Sequence, residues 1–530
     1  MPQINCCSTK FSSFGVSEAL ELNGNRSFGG FQEGELMREI RFTDTTLRDG
    51  HASLWAEGMR TGMMLAVSKY IEQAGFTAVE VIGASHFKKC IRELKEDPWE
   101  RIRLVAKSMP NTPLAAMSGS SAPATFGIAP YSIMKLHLDR LAANGVRRVH
   151  VMHASNDMGS RIVAAVKFAR EAGLEVVVAL VFSESPRHTD EYYATKAREA
   201  LEIGADLVYL KDPGGLLTPE RAKTIVPVIM RELKGLPLEF HTHCTTGLGP
   251  MTLLAAVEAG VETVHTAIPP LANGSSQPSV FNVTNNLREL GYGISIDEGP
   301  LRVASKELYR IAKEENMPIG TPLEYDFSQY IHQVPGGVIS NLRHQLRQMG
   351  MEQRLGDVLD ESVRVRRDLG YPIMVTPYSQ FVVSQATINV FSGGRYKVVT
   401  DEIIKYALGD YGEEASSGVA PEAREVILSR ERAEALSNAE YPEPSLAEVR
   451  ESFGGGISDD ELLLRYAVGG DSDVEAMRKA GPFKNYATDG HPIVSLVKTL
   501  AQRGELDQVA IQQPGLSLLL EGKARATNLG

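Results

Sequence analysis

His241 and His243 stand two residues apart in LEFHTHC, where an apolar run gives way to a polar turn. In an extended strand, residues two apart face the same way, so both imidazoles can reach a single ion. Asp49, after the run IRFTDTTLR, and Lys211, in VYLKDPGG, end two other apolar runs in the same manner. Imidazole and carboxylate together suit Zn²⁺, Mn²⁺ or Co²⁺ better than Ca²⁺. Alone, a His-x-His pair fits two packed or solvated histidines about as well; the acidic residue and the second polar turn favour a metal centre. For Lys211 two readings stand: an amine delivered to a shielded site, where desolvation disfavours the ammonium form, or an ion pair with Asp212 or Asp49. Arg48 is also open. Its planar guanidinium can hold two oxygens of a carboxylate or developing enolate, or it can serve as a structural clamp.

These residues need elements to carry them. From Ile40 onward, short β-branched or apolar runs alternate with longer segments of helical spacing. Strands are expected at Ile40–Thr43, Ala78–Ile82, Leu114–Met117, Arg148–Met152, Glu175–Val181, Leu207–Leu210, Leu238–His241 and Thr263–Ala267. Helices are expected near Met63–Ile71, Trp99–Lys107, Ile133–Ala143, Arg161–Ala172, Asp190–Ile203, Pro219–Leu233, Met251–Ala259 and Val280–Leu290. Eight βα repeats in ~260 residues fit a closed (β/α)8 TIM barrel, whose chemistry sits at the C-terminal ends of the strands. All four candidate ligands fall there.

A chain of 530 residues exceeds what one hydrophobic core sustains. The expected division is an N-terminal arm over 1–35, the α/β barrel over 36–300, a mostly helical domain over 301–470 and a C-terminal helical extension over 471–530. Gly336–Gly337 and Gly393–Gly394 read as turns, and SFGGGISDD (452–460) reads as a linker. In the extension, Ile493–Leu500 and Val509–Leu520 read as helix.

The net charge of −11 disfavours a nucleic-acid partner, which needs Lys and Arg to displace condensed counterions. With no apolar run of ~18 residues and a polar start, MPQINCCSTK, the expectation is a cytoplasmic protein with no direct membrane span. Cys6, Cys7, Cys90 and Cys244 make neither a disulfide framework nor a paired zinc motif.

Several blocks, in order, resemble the carboxyltransferase component of biotin-dependent 2-oxo acid carboxylases and decarboxylases, the kind found in pyruvate carboxylase, oxaloacetate decarboxylase and transcarboxylase. They are DTTLRDGHAS (44–53), EDPWERI (96–102), SPRHTDEYY (185–193), LKDPGGLLTP (210–219), HTHCTTG (241–247), NGSSQP (273–278), PGGVISNL (335–342) and VTPYSQ (375–380). The resemblance spans roughly residues 36–470. It implies a divalent metal held by Asp49, His241, His243 and a carboxylated Lys211. It further implies that Arg48 stabilises an enolate, that Arg92 grips the substrate carboxylate, and that the Ser340 hydroxyl shuttles a proton with biotin. The region Glu307–Ser392 would form a funnel over the barrel mouth.

The sequence also departs from that pattern. Ala52 stands where the family has glutamine, Cys244 replaces the aspartate of HTHD, and AAMSGSS (115–121) replaces a stretch carrying a second substrate arginine. The small organic acid accepted here is therefore expected to be bulkier or less polar than pyruvate, with Ala52 and Trp55 lining its pocket. The sequence holds no Met-Lys-Met acceptor and no ATP-grasp-like region, so biotin is expected in trans on a biotin carboxyl carrier protein, charged by a separate biotin carboxylase subunit. A homodimer is the expected assembly. Two other readings are carried forward: a biotin-independent metal-dependent lyase or aldolase on the same barrel, and an inactive scaffold subunit.

Overall fold

Side-chain alternation along extended segments sorts the barrel into an inner and an outer surface. In the computed structural model, which describes residues 38–119, 128–438, 442–487, 500, 508–513 and 516–521, eight strands follow one another around a closed sheet. They are β1 (Glu39–Asp44), β2 (Ala78–Gly83), β3 (Leu114–Gly119), β4 (Val146–Met152), β5 (Glu175–Val181), β6 (Leu207–Asp212), β7 (Leu238–Thr242) and β8 (Thr263–Thr266). Each pairs in parallel with the next, and β1 closes the ring by pairing with both β8 (Thr43↔His265) and β2 (Thr43↔Ala78). A two-residue strand, Gly293–Ile294, adds to the start of β1. The TIM barrel read from the sequence is the fold.

The alternation is visible in the packing. Val176, Val178, Leu180, Val208 and Leu210 face the surrounding helices and belong to the main core. Their neighbours Val177, Ala179, Val181, Leu207 and Tyr209 form a separate cluster inside the barrel. That inner cluster is completed by Ile373, from the helical region, with Val375 packed beside it. Met117 and Met152 pack against it as well, and the interior also holds a buried polar set: Glu80, Arg148, His150, Lys211, Glu239, His241 and His265.

The helical region has its own core, running from Val334 to Leu436. Residues on either side of that core pack onto the barrel. Leu301, Ala304, Leu308 and Ile311, on the helix Glu298–Glu314, join the barrel core, as do Val449, Leu462–Leu464, Val474 and Met477 further on. The chain thus leaves the barrel, builds a helical layer and returns to it. Gly336 and Gly337 do not make a turn: they open the helix Gly336–Gln348 behind Pro335, where the first N–H groups have no intrahelical partner to lose.

The segment Val509–Leu520, expected to be helical, is strand. Gln508–Gln513 pairs antiparallel with Leu516–Glu521, in the register Val509↔Leu520 and Gln513↔Leu516. The sequence between the strands is Pro514-Gly515, a turn pair that outweighs the helix-like leucine run. The arm over 1–35, with Cys6 and Cys7, lies outside the described residues, as does Ile493–Leu500 apart from Leu500. Among the described residues no helix is long and apolar enough to cross a membrane.

Candidate active site

β1 ends at Asp44, and the chain then makes a π-helical turn, Thr46–Gly50, that brings Arg48 and Asp49 to the barrel mouth. Such turns recur at functional sites. This one is tied down on both sides. The Asp44 carboxylate accepts from the Thr46 hydroxyl at 2.6 Å, and the Thr45 hydroxyl reaches the Thr266 carbonyl at 2.9 Å and Gln277 Oε1 at 2.8 Å.

Asp49, His241 and His243 converge, with their potential ligand atoms all within 4.8 Å of one another and all three residues buried. Lys211 Nζ lies 3.1 Å from Asp49 Oδ2 and 3.3 Å from His241 Nε2. The ion-pair alternative for Lys211 is thus Asp49. The Asp212 carboxylate is occupied by the Leu216 and Leu217 amides and the Thr242 hydroxyl. His243 Nδ1 lies 2.7 Å from the Ser275 carbonyl, which can only accept, so that nitrogen carries the proton and Nε2 is bare toward the cluster. Gln277 Nε2 lies 3.0 Å from that bare nitrogen.

The electrostatics follow from burial. Burial would raise the Asp49 carboxyl, but Arg48, Lys211 and His243 outweigh it and hold it well below the usual range. Burial lowers the Lys211 amine despite the pull of Asp49, and it lowers His241, with Lys211 adding to the effect. The centre therefore pairs an ionised carboxylate with two nitrogen groups, Lys211 and His241, whose charged forms burial disfavours. Two imidazoles, one carboxylate and a lysine nitrogen form a donor set that fits a borderline divalent ion.

Arg48 is clamped between two carboxylates. Burial works against its charge, and Asp49 and Glu80 more than offset that. Its Nε donates to Glu80 Oε2 at 2.8 Å, with Nη2 on the same oxygen, and Nη1 lies 2.9 Å from Asp49 Oδ2. It also lines a cavity of about 560 Å³ between the barrel mouth and the helical region. On the barrel side the cavity is bounded by Ala52, Ser85, Met117, Ser118 and Met152; on the helical side, by Thr376–Tyr378 and Asp410–Glu413. Ala52, expected to line a substrate pocket, lines this cavity.

Two expected substrate residues do not. Arg92 is exposed on the outer side of the barrel, where its Nε donates to Asp473 at 2.7 Å and Nη2 to the Val468 carbonyl at 2.8 Å. It anchors the returning C-terminal helices instead of gripping a substrate. Trp55 is buried in the main core, with its indole N–H donated to the Pro318 carbonyl at 2.8 Å, and it does not line the cavity. Ser340 falls on the helix Gly336–Gln348, and its side chain lies outside the described residues.

The sequence reading missed the polar layer beneath the ligands. Gln277 was within reach, because it lies in the block NGSSQP. Glu80 in AVEVI, Glu239 in LEF and His265 in TVHT carried a weaker signal: a lone ionisable residue inside a run that must be buried on both faces.

Comparison with known proteins agrees with this architecture. Residues 39–305 match the HMGL-like family and residues 330–471 the conserved carboxylase domain. A pyruvate carboxylase subunit of Methanocaldococcus jannaschii is 35% identical over 434 residues, covering 81% of this chain and 76% of that protein. The 2-oxoglutarate carboxylase large subunit of Hydrogenobacter thermophilus is 33% identical, covering 83% of this chain and 68% of that one. Among solved structures, the carboxyl transferase domain of Rhizobium etli pyruvate carboxylase with pyruvate superposes with a TM-score of 0.75 at 25% identity, over 92% of this chain and 84% of that one. A barrel of the HMGL-like kind is shared with lyases; its union with the conserved carboxylase domain, over a common cavity, is what separates the two readings. The chain belongs to the carboxyltransferases of the biotin-dependent pyruvate carboxylase family.

Proposed function

We propose that the chain is the carboxyltransferase subunit of a multi-subunit carboxylase and that it moves a carboxyl group between biotin, borne on a separate carrier chain, and a 2-oxo acid. The observation that carries this reading is the convergence of Asp49, Lys211, His241 and His243 beside Arg48, which itself lines a cavity that the conserved carboxylase domain helps to enclose. The Methanocaldococcus jannaschii relative is named as one subunit of its pyruvate carboxylase, which supports partners on other chains, a biotin carrier and a biotin carboxylase.

In this reading Asp49, His241, His243 and a carboxylated Lys211 hold Zn²⁺, Mn²⁺ or Co²⁺. Carboxylation turns the lysine nitrogen into an anionic oxygen ligand, and its depressed basicity favours that adduct. Held there, a divalent ion would supply Lewis acidity to the site. Arg48, locked by Glu80 and Asp49, presents a fixed positive charge to the oxygen on which charge develops, without reorganising. The Ser340 hydroxyl exchanges a proton with the biotin ureido nitrogen. The helical side of the cavity excludes water. Ala52, Met117 and Met152 add apolar surface to a barrel side that also carries Arg48, Ser85 and Ser118, and the small Ala52 leaves room for an acid bulkier than pyruvate.

The test is elemental analysis of protein purified without added metal, followed by assays with free biotin and a panel of 2-oxo acids. About one metal per chain with biotin-dependent carboxyl loss or exchange is expected. Metal with biotin-independent C–C cleavage would restore the lyase, and an absence of bound metal would overturn the four-ligand site.

A further inference from the structure

Beneath His241, three buried side chains are joined in line. His241 Nδ1 lies 3.1 Å from His265 Nδ1, His265 Nε2 lies 2.8 Å from Glu239 Oε2, and Arg148 Nη1 donates to Glu239 Oε1 at 2.9 Å. The ring of His265 is stacked on Tyr209, with centroids 5.5 Å apart and planes 10° apart, so both of its nitrogens keep these partners. His241 and His265 have no exposed surface, and Glu239 is 3% exposed.

We propose that Glu239 and His265 are positioning residues that fix His241 in the tautomer with a bare Nε2, the form that can bind a metal ion. The proton assignment runs from the carboxylate upward. Glu239, paired with Arg148, is anionic and can only accept, so His265 Nε2 carries a proton. When the ring carries its one proton on Nε2, His265 Nδ1 is the acceptor and His241 Nδ1 the donor of the 3.1 Å contact. His241 Nε2 is left with its lone pair toward Asp49, at 3.3 Å, and Lys211. His243 reaches the same end by a different route, through the Ser275 carbonyl. Outer partners of metal-bound histidines commonly act in this way, and their loss weakens metal binding by ~10–100-fold. Here the carboxylate works through an interposed imidazole.

The inference rests on the metal-centre reading above, and its test separates the two. Glu239→Gln is nearly isosteric, but Arg148 is donor-only, so the amide oxygen must face Arg148 and the NH2 must face His265. The proton chain then reverses, and His241 Nε2 is left protonated. His265→Asn keeps an acceptor near the position of Nδ1; His265→Phe removes it.

Zn²⁺ affinity is measured by competition with a chromophoric chelator, with circular dichroism and melting curves as fold controls. Glu239→Gln and His265→Phe are expected to weaken Zn²⁺ binding by ~10–100-fold, while His265→Asn stays within a factor of ~3 of the parent. A folded Glu239→Gln protein that binds Zn²⁺ as the parent does overturns the inference. So does equal weakening by the Asn and Phe variants, and that comparison decides the matter if Glu239→Gln does not fold. A parent protein that binds no Zn²⁺, Mn²⁺ or Co²⁺ overturns the metal centre itself, and the inference with it.

Discussion

Arg148→Met tests how the barrel interior tolerates charge. Burial would raise the Glu239 carboxyl, but Arg148, and after it the hydrogen bond from His265, outweigh burial and take it from 4.5 to about 2. At ~1.4 kcal/mol per pH unit, that shift corresponds to ~3 kcal/mol of stability. The Glu239 side chain is only 5% exposed, so solvent screening removes little of this. The sign is that of a depressed carboxyl: the stabilisation is fully present above pH 4.5 and is lost as pH falls through about 2. Replacing Arg148 removes the largest attraction and strands a buried carboxylate, so the variant should lose ~3 kcal/mol or more at pH ~7.5. Both tryptophans, Trp55 and Trp99, are buried in the barrel core, so urea unfolding followed by tryptophan fluorescence reports on this part of the molecule. The Arg148→Met/Glu239→Leu double variant removes the stranded charge and should recover most of the loss. A single-variant loss below ~1 kcal/mol, or a double variant as unstable as the sum of the singles, would refute the reasoning.

Arg48→Lys keeps the charge but cannot hold Glu80 and Asp49 at once; carboxyl-transfer kcat should fall ~10²–10³-fold with metal content retained, as assay and elemental analysis would show. Saturating Zn²⁺ or Mn²⁺, at about 1,000 times its Kd, adds ~4 kcal/mol to the folded state, so the melting temperature of metal-stripped protein should rise by several degrees, and Asp49→Asn should abolish the rise. Burial pushes the Cys90 thiol up to about 11 and Cys244 up to about 12. At pH ~8 their thiolate fractions are then ~10⁻³ and ~10⁻⁴, so iodoacetamide with peptide mass mapping should find both unmodified in native protein and modified once urea is added. Labelling of Cys244 at the rate of a free thiol would contradict its burial.

The barrel was legible because each strand is short, apolar and bounded by turn residues, so periodicity placed all eight within about two residues of their observed limits. The convergence of Asp49, Lys211, His241 and His243 was legible for a related reason: strand ends in this fold share one mouth, and His-x-His on one strand fixes a common direction. Arg92 and Trp55 were misplaced because position in a motif does not specify which way a helix faces. Arg92 lies on a helical turn with Asp473 within reach, a partner 381 residues away in the chain. The hairpin at 508–521 was missed because a leucine-rich run is compatible with either period, and only Pro514-Gly515 decides between them.

The division of the barrel interior explains why the helical region and the active site belong together. Around β5 and the start of β6, the inward residues are Val177, Ala179, Val181 and Leu207, and they need an apolar cover that a water-filled mouth could not provide. Ile373 supplies that cover from the helical region, and the residues just after it, Thr376–Tyr378, bound the cavity. The opposite half of the interior is polar, with Arg48 on Glu80 and His265 between His241 and Glu239, so His241 is held from within the barrel by contacts that do not involve the helical region. Replacing Ile373 with alanine should therefore loosen the cavity wall and raise KM for the acid, at a cost of ~2–4 kcal/mol in stability, while Zn²⁺ affinity stays unchanged. Kinetics and metal competition on the same preparation measure both. A loss of Zn²⁺ affinity in Ile373→Ala would show that the two halves are not independent.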